Sequence, residues 1–332
     1  MEVCKEITDK VLNMDIKQYR LVTKGDFDGL GCAILFKSLG IIEDILFTHP
    51  KEIESGNIQI TSNDIMAGLP YREKAYLVFD NYPGSIKNSV GKKNNFIIDT
   101  NTPSTTRVVY NYFEGGKSFS DISDELLSAV DKGYTSNFTT YEILYPAGWN
   151  LLNYIIDQRT GLEKFGKFRS SHYQLLLTLV DYCKNHTILE ILGLPEMEER
   201  IEIYFSVVDQ CKEQVLRCAS IYHNLVVIDL RHKDVIYPGN RFIVYALYPE
   251  CNVSLHILSD TARNKTIFVA GKSIIDRSYK AHIGKIMSLH GGGGHANAGT
   301  CQVSNENAEE VLEALIRKLQ YGVLKNLIMG YF

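Results

Sequence analysis

The chain has 332 residues, of which 45% are hydrophobic, and its formal net charge at pH 7 is −4. This length is enough for two domains with separate cores, and the net charge excludes a general coat for duplex nucleic acid. The seven cysteines stand singly, which favours free thiols over disulfides or a zinc site. There is no signal-like segment and no run of about 18 apolar residues, so we expect a cytoplasmic protein with no membrane partner.

Short apolar runs alternate with a helical pattern in the first hundred residues. Residues 30–39 carry apolar side chains at helical spacing, and each apolar run ends at a polar or acidic residue. This alternation predicts a parallel sheet in an α/β domain, in which function collects at the carboxyl ends of the strands. The predicted strands are 21–23, 45–47, 76–79 and 96–98.

The pattern changes twice along the rest of the chain. Residues 104–186 are mostly helical, and 195–219 read as one long connecting helix with apolar residues on one face. Strand-like runs then return, and a helix over 307–319 closes the pattern. The strands predicted in this last part are 225–228, 242–245, 253–257 and 267–270.

Two motifs far apart in the chain carry the chemistry. Asp26 and Asp28 lie in Gly-Asp-Phe-Asp-Gly at a predicted strand-to-helix turn, where paired acids can hold metal ions if other acids converge there. Taken alone, this motif is also typical of a turn followed by a helix cap. The second motif is Gly291-Gly292-Gly293-Gly294-His295. Its bare backbone N–H groups can wrap an anion, although glycine runs are also common turns.

With these two motifs the chain resembles the DHH family of phosphoesterases. The segment Asp26-Phe27-Asp28-Gly29 matches the first motif of that family, and the glycine run with His295 matches the motif of its associated C-terminal domain. Other stretches resemble the cytoplasmic, exopolyphosphatase-like branch. The resemblance implies a parallel-sheet α/β domain and a smaller mixed α/β domain with an active cleft between them. We expect the first domain over 1–194, a connecting helix over 195–220 and the substrate-binding domain over 221–332.

The resemblance also implies a phosphohydrolase with a pair of divalent metals, usually Mn²⁺ and alternatively Mg²⁺, held by the first domain. The second domain is expected to grip a small phosphorylated or nucleotide ligand with the glycine run, His295 and nearby cations and hydroxyls. The implied metal ligands are Asp26, Asp28, Asp64, Asp80 and, as a fifth, Asp131. The additional ligand-binding candidates are Arg241, Lys272, Ser273 and Arg277.

The departures from the family pattern fall on the metal site. The namesake triplet reads Asp80-Asn81-Tyr82, which keeps the acid, loses both histidines and makes Asn81 a candidate for substrate binding. Lys24 stands where many members have a histidine, and Tyr134 stands where this branch has a second acid. Two alternatives remain for Lys24: its ammonium neutralises the acid cluster in place of a metal, or its side chain points into solvent. In the first case Lys24 is a candidate catalytic residue beside Asp26, Asp28 and Asp80.

Two functions remain open at this point. The first is a phosphoesterase of a small substrate, such as a short oligonucleotide, a dinucleotide or polyphosphate, with an altered metal site and weak or partial Mn²⁺ occupancy. The second is a relative without catalysis that binds a nucleotide or phosphorylated ligand as a sensor or regulatory module. The retained glycine run argues against a protein that has lost its ligand altogether.

Overall fold

The computed structural model describes residues 18–84 and 94–320. Contacts between residues divide the chain into two units. The first unit comprises Met1–Asn137, Ala147–Gln158 and Gly166–Glu202, and the second comprises Phe138–Pro146, Arg159–Phe165 and Ile203–Phe332. Two short segments of the helical middle region therefore belong with the C-terminal part of the chain.

Five parallel strands form the sheet of the first unit. They are β1 (Tyr19–Lys24), β2 (Ile42–Thr48), β3 (Asp64–Ala67), β4 (Leu77–Asp80) and β5 (Phe96–Ile98). Their order is β2-β1-β3-β4-β5, so β3 separates the two strands that carry the acidic motifs. The four strands predicted from the sequence are confirmed, whereas β3 was not predicted. Parallel pairing brings the carboxyl ends of β1, β3 and β4 to the same edge of the sheet.

A mixed sheet of six strands forms the second unit. The strands are β6 (Ala219–Tyr222), β7 (Leu225–Asp229), β8 (Val253–Asp260), β9 (Lys265–Lys272), β10 (Gly293–Gly294) and β11 (Ala298–Ser304). Their order is β10-β11-β9-β8-β7-β6, and among these pairs that of β7 with β8 is parallel and the others are antiparallel. The predicted strands at 225–228, 253–257 and 267–270 are confirmed.

Helices cover both sheets and fill the middle of the chain. In chain order they are α1 (Phe27–Ser38), α2 (Pro50–Glu54), α3 (Thr105–Tyr112), α4 (Asp124–Thr135), α5 (Thr140–Leu144), α6 (Gly148–Ile156), α7 (Leu162–Phe165), α8 (His172–Tyr182), α9 (Ile188–Leu192), α10 (Pro195–Cys218), α11 (Ile243–Leu247), α12 (Ile283–Ser288) and α13 (Ala308–Gln320). The long connecting helix and the closing helix predicted from the sequence are α10 and α13. Leu255 and Phe268 of the second sheet pack with Met287 of α12 and Leu315 of α13 in one buried core.

The strand predicted at 242–245 is wrong, because this segment forms α11. Asn240 forms a turn just before the helix: its side-chain Oδ1 accepts from the N–H of Phe242 at 3.0 Å, and its carbonyl accepts from the N–H of Ile243 at 2.9 Å. An apolar run of this length fits a buried strand and a buried helical turn equally well. The asparagine that precedes the run decides between them.

Every cysteine in the described residues is a free thiol, as the sequence predicts. Five of them are buried and pack as small apolar side chains, namely Cys32, Cys183, Cys211, Cys251 and Cys301. Cys4 lies outside the described residues.

Across residues 18–84 and 94–320, no helix is both long enough and apolar enough to cross a membrane.

His256 makes the second unit sensitive to acid. It lies in the central strand β8, and desolvation by burial lowers its pKa from 6.5 to about 4. An unfolded chain therefore binds a proton at His256 at a higher pH than the folded chain does. Stability is retained above pH 6.5 and falls as the pH drops towards 4, by an amount on the order of 3 kcal/mol. Urea unfolding of His256→Leu should show a weaker loss across that interval, and an identical pH profile would contradict this explanation.

Candidate active site and cationic cluster

The turn from β1 into α1 places the first acid at a helix N-terminus. Asp26 is the N-cap of α1, and its Oδ1 accepts from the N–H of Gly29 at 3.0 Å. A Cβ at Gly29 would lie 1.8 Å from the carbonyl oxygen of Lys24, so only glycine permits this close approach of helix and strand. The sequence motif is therefore both a helix cap and a means of presenting Asp26 at the carboxyl edge of the sheet.

Asp28 is buried and is held by the start of α3. Its Oδ1 accepts from the N–H of Thr106 at 2.9 Å and from the hydroxyl of Thr106 at 3.0 Å. Its Oδ2 accepts from the N–H of Thr105 at 3.4 Å. A carboxylate is stabilised at a helix N-terminus because the first N–H groups of the helix point towards it. These bonds fix the orientation of the second acid.

Asp80 ends β4, and its Oδ1 accepts from the N–H of Asn81 at 2.8 Å and from the N–H of Tyr82 at 3.1 Å. The Asn81 side chain is buried and turned towards the protein. Its Oδ1 accepts from the Thr105 hydroxyl at 3.2 Å, and its Nδ2 donates to the Thr102 carbonyl at 3.3 Å. Both ends of the amide are used by the protein, which argues against the predicted contact of Asn81 with substrate.

Lys24 lies among the acids and does not point into solvent. Its Nζ is 3.4 Å from Oδ2 of Asp26 and 3.5 Å from Oδ2 of Asp28, and its side chain is only 18% exposed. The ammonium also lies 5.0 Å from the ring centroid of Tyr134. Of the two alternatives for Lys24, the structure shows the one in which the ammonium neutralises the acid cluster.

The charges around Lys24 shift the titration of the site. Burial lowers the pKa of Lys24, but the nearby groups outweigh this effect: the carboxylates of Asp26 and Asp28 raise the pKa, and Tyr134 and Asp80 act in the same direction. The net pKa is raised above its ordinary value, so the ammonium stays protonated throughout the physiological range. Burial raises the pKa of Tyr134 to about 12, so its phenol stays neutral there.

Asp64 lies apart from this acid cluster, which argues against its predicted place among the metal ligands. It begins β3, opposite Arg20 of β1, and therefore lies at the amino end of the sheet. Its Oδ1 accepts from Nε of Arg20 at 2.7 Å, and its Oδ2 accepts from the N–H of Thr61 at 2.6 Å and the hydroxyl of Thr61 at 3.0 Å. The sequence motif that contains Asp64 therefore lies at the start of a strand, whereas Asp26 and Asp80 lie where strands end.

The substitution Asp64→Asn should therefore lower stability without lowering activity. It removes a charged acceptor from Arg20 and Thr61, at an expected cost of about 1.5 to 3 kcal/mol in the free energy of unfolding. Urea unfolding measures the cost, and turnover of the folded variant measures the site. A folded Asp64→Asn protein with abolished turnover would restore Asp64 to the active site.

Asp131 is also engaged elsewhere. Its Oδ1 accepts from the hydroxyl of Ser104 at 2.5 Å, and its Oδ2 accepts from Nε of Arg107 at 2.9 Å and from Nη2 of Arg107 at 2.6 Å. Ser104 is the N-cap of α3, so this network links α4 to the start of α3. Asp131 supports the helix that holds Asp28, and it is not positioned as a fifth ligand.

The arrangement does not fit the metal pair that the family resemblance implies. Within the described residues, no three His, Cys, Asp or Glu side chains come close enough together to hold a metal ion. Two of the five implied ligands, Asp64 and Asp131, are bound to arginines, and an ammonium lies beside Asp26 and Asp28. A divalent ion there would meet a like charge at short range.

In the second unit, most of the glycine run is engaged in backbone hydrogen bonds within the protein. The N–H of Gly291 donates to Ser288, that of Gly292 to Met287 at 3.1 Å, and that of His295 to Ala298 at 2.9 Å. Gly293 and Gly294 pair with β11 as the short strand β10. The N–H groups that the sequence offers for wrapping an anion are therefore largely used, and the run closes α12 and opens a strand.

His295 lies in a cluster of positive charge. Its Nδ1 accepts from the N–H of Asn297 at 3.2 Å, so the neutral ring carries its proton on Nε2. Burial lowers the pKa of His295, and nearby cations lower it further; these are Arg241, His282, Arg159 and Lys272. Two of the predicted residues, Arg241 and Lys272, are thus grouped with His295, and we call these five side chains the cationic cluster.

Sequence reasoning missed Arg159 and His282. Arg159 lies in a segment of the helical middle region that belongs to the second unit, and His282 is the N-cap of α12. It also missed His172 of α8, whose Nε2 lies 3.3 Å from the carbonyl oxygen of Gly25 beside the acid cluster. The stretch Asp157-Gln158-Arg159-Thr160-Gly161 resembles the exopolyphosphatase-like branch of the family. Local sequence nevertheless assigned no role to any of the three residues, because tertiary structure brings each to its site.

Two predicted ligand-binding residues are engaged in a turn. The buried hydroxyl of Ser273 accepts from the N–H groups of Ile275 and Asp276, both at 3.1 Å. Arg277 donates from Nε to the carbonyl of Ile274 at 3.1 Å, and it is not among the cations that lower the pKa of His295. These contacts favour a role for Ser273 and Arg277 in shaping the segment after β9.

The chain has relatives among solved structures, although its sequence matches no protein-family profile and no curated protein sequence. It is similar to PggH, a pGpG-specific phosphodiesterase from Vibrio cholerae, with 46% identity and a TM-score of 0.80. That match covers 92% of this chain and 100% of PggH.

Two more distant structures share the fold. One is the DHH domain of a protein assigned to a family of ribosomal proteins, at 12% identity and a TM-score of 0.59, covering 96% of this chain and 90% of that one. The other is RecJ in complex with Mn²⁺ from Thermus thermophilus, at 13% identity and a TM-score of 0.53, covering 96% of this chain and 54% of RecJ. The chain belongs to the DHH-family phosphoesterases.

Proposed function

We propose that this protein is a phosphodiesterase that hydrolyses a short, linear dinucleotide of the pGpG type in the cytoplasm. The observation that carries the proposal is the 46% identity to a pGpG-specific phosphodiesterase over that protein's whole length. An identity of this size over two complete units supports the same class of substrate, which the fold alone would not do.

The cationic cluster suits such a substrate. A linear dinucleotide with a 5′ phosphate carries two phosphate groups, and Arg241, Arg159 and Lys272 supply permanent positive charge near His295. The Nε2–H of His295 adds a donor. Cations and a polar donor grouped in this way favour a small anionic ligand, whereas the chain as a whole carries a net negative charge.

The acid cluster supplies the chemistry in this proposal. The Asp26 side chain is 35% exposed, against 2% for that of Asp28, and can act on an attacking water as a base. Lys24 lies 3.4 Å from Asp26 and can offset negative charge that builds up on the phosphoryl oxygens. Asp28 and Asp80 hold these two groups in place.

A second function is favoured by one observation, the ion pairs of Lys24 with Asp26 and Asp28. If these pairs have removed hydrolytic chemistry, the protein binds the same dinucleotide through the cationic cluster without cleaving it, as a sensor or regulatory module. The two functions share a ligand and differ in whether the protein cleaves it.

A substrate panel separates the two. The purified chain is incubated with pGpG, with its cyclic form and with polyphosphate, each with Mn²⁺, with Mg²⁺ and with a chelator, and the products are separated by chromatography. The proposal predicts that pGpG is cleaved to mononucleotides and that the cyclic form and polyphosphate are not cleaved. Saturable binding of pGpG without product supports the second function, whereas cleavage of polyphosphate but not of pGpG contradicts both.

A variant in the cationic cluster provides the matching test. His295→Ala should raise KM or Kd for pGpG at least about tenfold, which corresponds to about 1.4 kcal/mol of binding free energy. His186→Ala in the first unit is the control, since His186 is exposed and its ring bonds locally to the carbonyl of Tyr182. Equal affinity in His295→Ala and the wild type would remove the cationic cluster from the substrate site.

A further inference from the structure

Three positions that depart from the family pattern are connected in space. Lys24 stands where the family resemblance implies a histidine, and its ammonium lies 5.0 Å from the ring centroid of Tyr134, which stands where the resemblance implies an acid. Asn81 stands where the resemblance implies a histidine of the namesake triplet. It accepts from the Thr105 hydroxyl, and the Thr105 N–H in turn donates to Asp28. The three positions therefore belong to one connected set of contacts around the acid cluster.

The backbone leaves room for the Lys24 side chain. Gly68 follows β3 at the carboxyl edge of the sheet, with a left-handed φ of 66°, and a Cβ at that position would lie 2.7 Å from Cε of Lys24. The aliphatic part of the lysine thus passes over a glycine, and its ammonium reaches Asp26 and Asp28. This packing holds the charge in a fixed place.

The charge of the three acids explains why a cation lies at position 24. The Lys24 ammonium lies 3.4 Å from Asp26 and 3.5 Å from Asp28, and Asp80 ends β4 at the same edge of the sheet. Three carboxylates grouped at one sheet edge need a cation close by, since like charges in a partly buried site repel strongly. Lys24 supplies that cation, because it forms an ion pair with Asp26 and another with Asp28.

We infer that the Lys24 ammonium permanently takes the place that a divalent cation would have between Asp26 and Asp28, so that this site functions without a tightly bound metal. Tyr134 contributes by replacing a carboxylate with a neutral ring against the ammonium, which keeps the total charge of the site low.

Metal binding tests this directly and does not depend on turnover. The wild-type chain, stripped with a chelator and dialysed, is titrated with Mn²⁺ by calorimetry and by the loss of free Mn²⁺ signal in electron paramagnetic resonance. We expect no saturable site. Lys24→His and Lys24→Met should each acquire a site at least about tenfold tighter than any in the wild type, with a rise of the melting temperature in Mn²⁺.

Two further variants control for charge and folding. Lys24→Arg keeps the cation and should acquire no Mn²⁺ site. Lys37→Met removes a lysine that is ion-paired with Asp181 on the surface, and it should behave as the wild type in Mn²⁺. If the Lys24 variants do not fold, the wild-type titration still decides the question, because it uses the native chain.

The opposing result is a stoichiometric Mn²⁺ site in the wild type that Asp28→Asn abolishes. That finding would overturn the inference and would leave the proposed hydrolysis of pGpG standing. Conversely, a wild-type chain that neither binds Mn²⁺ nor cleaves pGpG would uphold the inference and contradict the proposed phosphodiesterase. The inference about Lys24 and the proposed function can therefore each be contradicted while the other stands.

Discussion

Replacing Asp28 with alanine is expected to lower the free energy of unfolding by about 3 to 5 kcal/mol, because the change removes one partner of a largely buried ion pair. The Lys24 ammonium loses a neighbour 3.5 Å away, and the N–H groups of Thr105 and Thr106 at the start of α3 lose their acceptor. Urea unfolding followed by circular dichroism measures the effect.

The control for Asp28→Ala is Asp209→Ala on α10. Asp209 also pairs with a lysine, but its side chain is 83% exposed, so its loss should cost no more than about 1 kcal/mol. Equal stability losses in the two variants would mean that the contacts of Asp28 do not stabilise the start of α3.

Replacing Gly292 with alanine is expected to be strongly destabilising. A Cβ there would lie 2.0 Å from the carbonyl oxygen of Thr300 and 2.5 Å from Cβ of Cys301, so β10 would have to move away from β11. We expect a loss of about 3 kcal/mol or more in the free energy of unfolding. Thermal or urea unfolding of the purified variant provides the measurement.

The neighbouring glycine is the matched control. A Cβ at Gly293 meets no atom within 4 Å, so Gly293→Ala should change stability by no more than about 0.5 kcal/mol. If Gly292→Ala and Gly293→Ala are equally stable, the glycine run is not required by the packing of β10 on β11, and its use as an anion cradle regains support.

The parts of the fold that follow from local pattern were predictable from the sequence. The apolar run before Asp26 and the helical spacing after it identify β1 and α1, and the same logic places Asp80 at the end of β4. The motif Asp-Phe-Asp-Gly was recognisable from the sequence, and the structure explains its glycine, since a Cβ at Gly29 would lie 1.8 Å from the carbonyl oxygen of Lys24. Local geometry and sequence agree at these positions.

Other features depend on contacts between residues distant in sequence. Asp64 begins a strand of four residues, which is too short for an alternating pattern to reveal, and its arginine partner lies 44 residues away. The side chain of Lys24 could be assigned to the acid cluster only once Gly68 of the β3 edge was known to pass beneath it. Arg159 joins the cationic cluster from a helical region whose sequence carries no phosphate-binding motif.

The proposed function assigns phosphodiester hydrolysis to the acid cluster at the carboxyl edge of the first sheet. The most direct test of this assignment is the rate of pGpG hydrolysis by Asp28→Asn, an isosteric change, measured beside the wild type at matched folded concentration. We expect a rate at least about a hundredfold lower, since the change removes the charge that holds Lys24 in position beside Asp26, and misplaced reacting groups typically cost this much. A folded Asp28→Asn protein that cleaves pGpG at the wild-type rate would contradict the assignment.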